Sequence, residues 1–232
     1  MTEPTTPTRY AIYVTPPPGP LADFGAAWLG WDTVAGQDVA HPDIPGLPVP
    51  IAELTETPRK YGLHATMKPP FALAPGQTEA ALTAAFARFC VATAPVTLDG
   101  LTVAPLGRFL ALLPEGDATA VSALAADCVR AFERFRAPRT EAQLARRRAG
   151  GLTPDQEARL AKWGYPHVMA GFRFHITLTG KRPKPELPAL RATLATHLAP
   201  ILPRPFPVDA LSLMVENEHG RFHLLHRLPL TG

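Results

Sequence analysis

Two short segments carry the residues best suited to chemistry. His64-Ala65-Thr66-Met67 and His175-Ile176-Thr177-Leu178 each set a histidine two residues ahead of a threonine within an apolar run. In an extended strand residues i and i+2 share a face, so each segment delivers one imidazole and one hydroxyl to a common side. Two such strands can clamp one tetrahedral anion, and the chemistry this suits is cleavage of a phosphate ester. One imidazole takes a proton from the attacking group while the other protonates the departing alkoxide. With ordinary pKa values of about 6.5, two histidines can hold those opposite states at neutral pH. The two hydroxyls donate hydrogen bonds to the non-bridging oxygens, where charge must be stabilised. Spacing leaves open which histidine is the base.

The second segment alternates cleanly, with Arg173, His175, Thr177 and Thr179 against Phe174, Ile176 and Leu178. The first sets Leu63, Ala65 and Met67 against His64, Thr66 and Lys68. Regular alternation therefore adds one basic residue to each polar face, Lys68 and Arg173, as further ligands of a substrate phosphate.

Strands to carry these residues are expected at 9–15, 62–68, 96–103, 108–113, 172–179, 208–215 and 221–227, where β-branched and apolar residues run between turn signals. Amphipathic helices are expected at 24–29, 79–92, 119–135 and 186–197. The prolines at 42, 45, 48, 50 and 58 mark residues 33–58 as a long surface connection. Strand, helix, strand, strand is thus written twice. The expected fold is α+β and bilobal, with two antiparallel sheets related by a pseudo-two-fold, helices outside, and the polar motif faces meeting across a central cleft. The N-terminal lobe is expected over residues 1–118 and the C-terminal lobe over 119–232.

A helical insertion at 138–168 has no counterpart in the first half. Thr140 with Gln143, and Thr153 with Pro154 and Gln156, are capping boxes that start two short helices. Between them lies Arg146-Arg147-Arg148-Ala149-Gly150-Gly151. These arginines end a helix favourably for its dipole, and a sharper expectation is a lid whose Arg146, Arg147 and Arg148 reach a second phosphate of the substrate.

Composition narrows the function class. The chain has 232 residues, 46% hydrophobic, with a formal net charge of only +3. That lacks the cationic excess of an obligate nucleic-acid binder and suits a small anionic substrate. No apolar run approaches the roughly 20 residues of a membrane span, and Met1 to Arg9 lacks the apolar stretch of a signal peptide, so a cytoplasmic protein is expected. Cys90 and Cys128 are the only thiols and sit in helical apolar patterns. No Cys-x-x-Cys, His-Glu-x-x-His or His-x-His-x-Asp string occurs, so neither a metal nor a cofactor is expected. His223-Leu-Leu-His226 lies in a strand, where three-residue spacing sends its imidazoles to opposite faces.

The chain resembles the two-histidine phosphoesterase superfamily, of RNA ligase/cyclic phosphodiesterase-like fold, and within it the DUF1045 branch associated with phosphonate metabolism. The resemblance rests on Arg9-Tyr-Ala-Ile-Tyr13, Ala27-Trp-Leu-Gly30, Tyr61-Gly-Leu-His-Ala-Thr-Met-Lys68, Gly107-Arg-Phe-Leu-Ala-Leu112, Trp163-Gly-Tyr-Pro166 and Phe172-Arg-Phe-His-Ile-Thr-Leu-Thr-Gly180. It implies metal-independent phosphodiesterase chemistry, with His64 and His175 catalytic and Thr66 and Thr177 holding the phosphate. A ribose cyclic phosphate is the substrate it suggests. RNA-end processing at a 2′,3′-cyclic phosphate or 2′,5′ linkage is the second reading, and a non-catalytic phosphate- or RNA-binding module the third. The expected partner is accordingly a small phosphorylated substrate or RNA, without a membrane, and the sequence says nothing of oligomeric state.

Overall fold

Arg9–Val14, strand β1, is apolar on both sides, as a strand covered on both faces must be. Tyr10, Ile12 and Val14 enter the main core, whereas Ala11 and Tyr13 pack with Met214 and Phe222 on the opposite face. A computed structural model gives the fold, and residues 8–232 are described. The first seven residues, on which most of the signal-peptide reading falls, lie outside the described residues.

In chain order the elements are β1, α1 (Pro20–Leu29), β2 (Trp31–Asp32), β3 (Gln37–Asp38), α2 (Ile51–Leu54), α3 (Glu56–Arg59), β4 (Ala65–Ala72) and α4 (Glu79–Val91). There follow β5 (Val96–Leu98), β6 (Leu101–Leu106), β7 (Phe109–Pro114), α5 (Thr119–Ala131), α6 (Glu141–Arg148) and α7 (Pro154–Trp163). The chain closes with β8 (Ile176–Thr177), α8 (Leu187–Leu198), β9 (Phe206–Val208), β10 (Ala210–Glu216) and β11 (Phe222–Pro229).

Seven strands form one antiparallel sheet in the order β11-β10-β1-β4-β8-β7-β6. The expected antiparallel α+β architecture with outer helices and a central cleft is what forms. The two sheets expected are one continuous sheet, joined at the middle where β4 and β8 meet through the pair Ala65 and Ile176, so the motif strands lie side by side rather than on facing sheets. The strands that follow each motif cross to the other motif's side: β6 and β7 flank β8, and β10 pairs with β1, the neighbour of β4. A division at residue 118 therefore does not coincide with the two halves of the sheet. Exchange of strands stitches the halves together and fixes the two motif strands side by side.

Helices α4, α5 and α8 pack on one face over a core that includes Leu82, Phe86, Leu124, Phe132, Leu190 and Leu194. Trp28 of α1 donates its indole N–H to the carbonyl of Leu178 at 2.7 Å, tying that helix to the second motif. The connection at 33–58 is less superficial than its prolines suggest. It contains α2 and α3, and Ile44, Ile51 and Leu54 are buried in the core, because single apolar side chains between prolines still find a groove to fill. The expected strand 96–103 divides at Asp99-Gly100 into β5 and β6, with β5 pairing β9 in a separate ribbon. Both expected capping boxes form, at Thr140–Gln143 and Thr153–Gln156. No helix among the described residues is long and apolar enough to cross a membrane.

Candidate active site

The first motif strand runs over Ala65–Ala72 rather than 62–68, so that each motif threonine lies in a strand with its histidine just ahead of the first strand residue, and each strand is distorted just after the threonine. On β4, Tyr13 of β1 pairs with Thr66 and Ile12 with Lys68, which leaves Met67 as an extra residue. This is a β-bulge, a device that re-aims side chains. After the second motif, the amides of both Leu178 and Thr179 donate to the carbonyl of Leu110, at 2.9 and 3.2 Å, and β8 ends at Thr177. The expected strand 172–179 is thereby cut to its chemical centre. Thr179 is buried, accepting a hydrogen bond from the Leu110 amide at 3.0 Å.

The pairing of Ala65 with Ile176 sets the register of the site. Carried one residue either way along antiparallel strands, it places His64 opposite Thr177 and Thr66 opposite His175, all four on the face away from α4, α5 and α8. Directly opposed residues have Cβ atoms about 5 Å apart, so the two imidazoles and two hydroxyls form a compact square. All four line a cleft of about 800 Å³, a size suited to a small molecule.

Both imidazoles are oriented alike. Nδ1 of His64 lies 2.9 Å from the carbonyl of Gly62, and Nδ1 of His175 lies 2.8 Å from that of Arg173. A carbonyl only accepts, so Nδ1 carries the hydrogen in each ring and Nε2 is left for proton transfer. Gly62 has φ 72°, and a Cβ there would meet Cγ2 of Thr33 at 2.1 Å, so glycine is needed for the turn that brings this carbonyl beneath His64. Nε2 of His64 lies 3.2 Å from the Thr66 hydroxyl. With the ring neutral, that hydroxyl is the donor, and it can rotate onto a phosphate oxygen.

The two histidines differ in surroundings. His64 stacks on Tyr13 with centroids 3.8 Å apart and has Tyr61 at 5.8 Å. Burial pulls its pKa down to about 4, the Gly62 hydrogen bond opposing and the charge of His175 adding to the fall. His175 has Phe109 as its aromatic neighbour at 6.0 Å.

The cations expected at the phosphate separate. Arg173 lines the cleft. Lys68 does not: the bulge at Met67 reverses the alternation and turns it into the helical side. There its ammonium donates to Glu133 at 2.9 Å and to the Val129 carbonyl at 3.2 Å, with only 2% exposure. Of the three consecutive arginines only Arg147 lines the cleft, over the Tyr165 ring at 4.7 Å. Arg148 pairs with Glu157 and Arg146 is exposed, because successive helical residues point in different directions.

The cleft is also lined by Arg9, Tyr13, Tyr61, Arg159 and His167, which the motif pattern misses. A period-two reading of the first strand would have found two of them, since Arg9, Ala11 and Tyr13 share a face. Met169, beside this wall, has φ 54°, a left-handed conformation that a non-glycine residue seldom adopts. Among the described residues no group of three or more His, Cys, Asp or Glu side chains is arranged to hold a metal ion.

Fold and site define an antiparallel α+β protein whose cleft is floored by two matched His-x-Thr strands. The chain belongs to the family described as "Protein of unknown function (DUF1045)", whose sequence model matches residues 66–223. It is 38% identical to the ribose 1,5-bisphosphate phosphokinase PhnN of Janthinobacterium sp. (strain Marseille), over 97% of this chain and 51% of that protein. Against the protein of the same name from Laribacter hongkongensis (strain HLHK9) it is 36% identical, over 95% of this chain and 51% of the relative. The chain thus spans about half the length of the curated relatives it matches. Among solved structures it is similar to TT0787 of Thermus thermophilus, with TM-score 0.46, 19% identity and coverage of 97% and 98% of the two chains. It is also similar to E. coli LigT complexed with 3′-AMP, with TM-score 0.41, 18% identity and coverage of 98% and 100%.

Proposed function

We propose that this protein is a metal-independent cyclic phosphodiesterase that opens a small ribose cyclic phosphate. The observation that carries the proposal is the square of His64, Thr66, His175 and Thr177 on one cleft-facing surface, each imidazole held by a backbone carbonyl at Nδ1. His64 is the general base. Packed under Tyr13, it stays neutral at any ordinary pH and so accepts the proton of the attacking water through Nε2. The water oxygen forms a bond to phosphorus, the ring P–O bond breaks, and His175 protonates the departing sugar oxygen. Thr66 and Thr177 donate to the non-bridging oxygens, with Arg173 supplying positive charge.

The names of the relatives support the sugar. Opening a 1,2-cyclic phosphate of ribose 5-phosphate at the bond to O2 leaves the phosphate on O1, and the product is ribose 1,5-bisphosphate. That compound is in the printed name of the phosphokinases whose length this chain half spans. RNA-end processing remains the second reading, favoured by Tyr61, Tyr165 and Phe109 along the cleft, where bases can stack. Steady-state kinetics with the ribose cyclic phosphate, a nucleoside 2′,3′-cyclic phosphate and a cyclic-ended RNA separate the two. The sugar is expected to have the highest kcat/KM. Preference for the RNA, with salt-dependent binding, would reverse the order.

The base assignment has a pH signature. The neutral base is lost only as pH falls through its lowered pKa, so the acid limb of kcat/KM is expected near pH 4 rather than near the ordinary histidine value of about 6.5. Tyr13→Ala opens His64 to water and should move that limb upward, toward about 6. An acid limb already near 6.5 in the natural protein, unmoved by Tyr13→Ala, would take the base role from His64.

A further inference from the structure

We propose that the end of the cleft beyond His64, formed by Arg147, Tyr165, Arg9 and Tyr13, is a second anion site that takes a phosphomonoester carried by the substrate. The assignment of the other end to the reacting diester rests on the function proposed above.

Three observations meet there. First, Arg9, Arg147, Arg159 and Arg173 line the cleft and, among the described residues, no carboxylate does, while Arg136 and Arg139, which do not line it, add positive charge nearby. Arg9 is held by Glu216, with Nε 2.6 Å from the carboxylate, and Arg136 by Glu133 at 2.9 Å. Glu133 is shared with Lys68, and among the described residues neither Arg139 nor Arg147 has a carboxylate partner. Half-burial and the charges of Arg147, Arg136 and Arg9 pull the pKa of Arg139 down to about 10, which places these guanidinium groups within each other's field. Such crowding is costly unless an anion relieves it.

Second, the Tyr13 hydroxyl is buried and among the described residues has no hydrogen-bond partner, although its side chain lines the cleft and its charged or phenolic neighbours are Tyr61, Arg9, Tyr165 and Glu216, the last already paired with Arg9. A buried hydroxyl without a partner is uncommon and asks for an explanation. A phosphate oxygen would accept its hydrogen. Third, the Tyr13 ring is the one stacked on His64 at 3.8 Å. The anion site is therefore next to the catalytic square, and the spacer between the two phosphates is short, the size of one sugar rather than a nucleotide chain.

Arg147 is the residue to change. It is half-buried on α6 between exposed neighbours and contacts the Tyr165 ring, so its replacement should leave the fold intact, which a melting curve checks. Calorimetric titration with ribose 5-phosphate, and with ribose as control, is the measurement. The natural protein should bind the phosphate and not the sugar. Arg147→Gln should weaken binding by roughly ten-fold or more, as loss of a charge-assisted contact does. Arg147→Lys should restore part of it, since charge returns without the planar fork. Thr66→Val with Thr177→Val should change binding by less than about three-fold, since those hydroxyls belong to the other end. Equal binding by Arg147→Gln and the natural protein, no binding by the natural protein, or a loss confined to the threonine variant would each overturn the anion site. If Arg147-dependent binding is found while no cyclic ester is turned over, the anion site stands and the phosphodiesterase reading fails. Turnover indifferent to Arg147→Gln would have the opposite meaning.

Discussion

His64→Ala and His175→Ala should each lower kcat on the cyclic ester by at least about a hundred-fold, the ordinary worth of one positioned proton-transfer group. Melting temperatures should change little, because both side chains line the cleft rather than the helical core. In the proposed mechanism the two groups act on one transition state, so the double variant is expected to fall little below the worse single one. Thr66→Val and Thr177→Val, which keep shape and remove the hydroxyl, should reduce kcat more than they raise KM, because the bond strengthens as charge develops on the phosphate oxygens. Activity within about three-fold of the natural protein in either histidine variant would remove that imidazole from the reaction.

The second large effect is on stability and falls on Lys68. Its ammonium is buried at 2% exposure and rests on Glu133, which also holds Arg136. Glu133→Ala leaves an unpaired charge in the core and should destabilise the fold by about 3 kcal/mol. Lys68→Met removes the charge with similar volume. It should cost no more than about 1 kcal/mol and leave KM unchanged. Burial already lowers the Lys68 pKa. The unfolded chain keeps that proton to about 10.4, so it binds more protons than the folded one as pH rises, and stability rises with pH. The Glu133→Ala deficit, measured by denaturant unfolding, should therefore shrink at alkaline pH. A raised KM in Lys68→Met with unaltered stability would instead return this lysine to the phosphate.

The contrast between Lys68 and His64 shows what is legible in a sequence. A strand's two-residue period is written in its alternation, and it put His64, Thr66, His175 and Thr177 on one face of the sheet. A bulge is written nowhere in that pattern. One extra residue, Met67, sends Lys68 to the opposite face. The same holds for Thr179, buried by the double donation to Leu110. Helix phase limited the arginine run similarly: three consecutive residues on α6 cannot share a direction, and only Arg147 reaches the cleft.

Helices α4 and α8 and both capping boxes follow from local signals, and they are found close to where the sequence puts them. Strand order does not, because it depends on pairings between residues far apart. Element order suggested two successive lobes, whereas β6 and β7 join the second motif and β10 and β11 lie on the side of the first. That exchange keeps the two motif strands adjacent, at the one place where their side chains can act together.

The most direct test of the central claim is phosphorus NMR in ¹⁸O-labelled water, with a chelator present and ribose 1,2-cyclic phosphate 5-phosphate as substrate. The expected result is conversion of the cyclic-ester signal to a phosphomonoester bearing one ¹⁸O, from water bonded to phosphorus, and no conversion beyond background with His64→Ala or His175→Ala. A cyclic ester left intact by the natural protein, or opened equally by the histidine variants, would contradict the account.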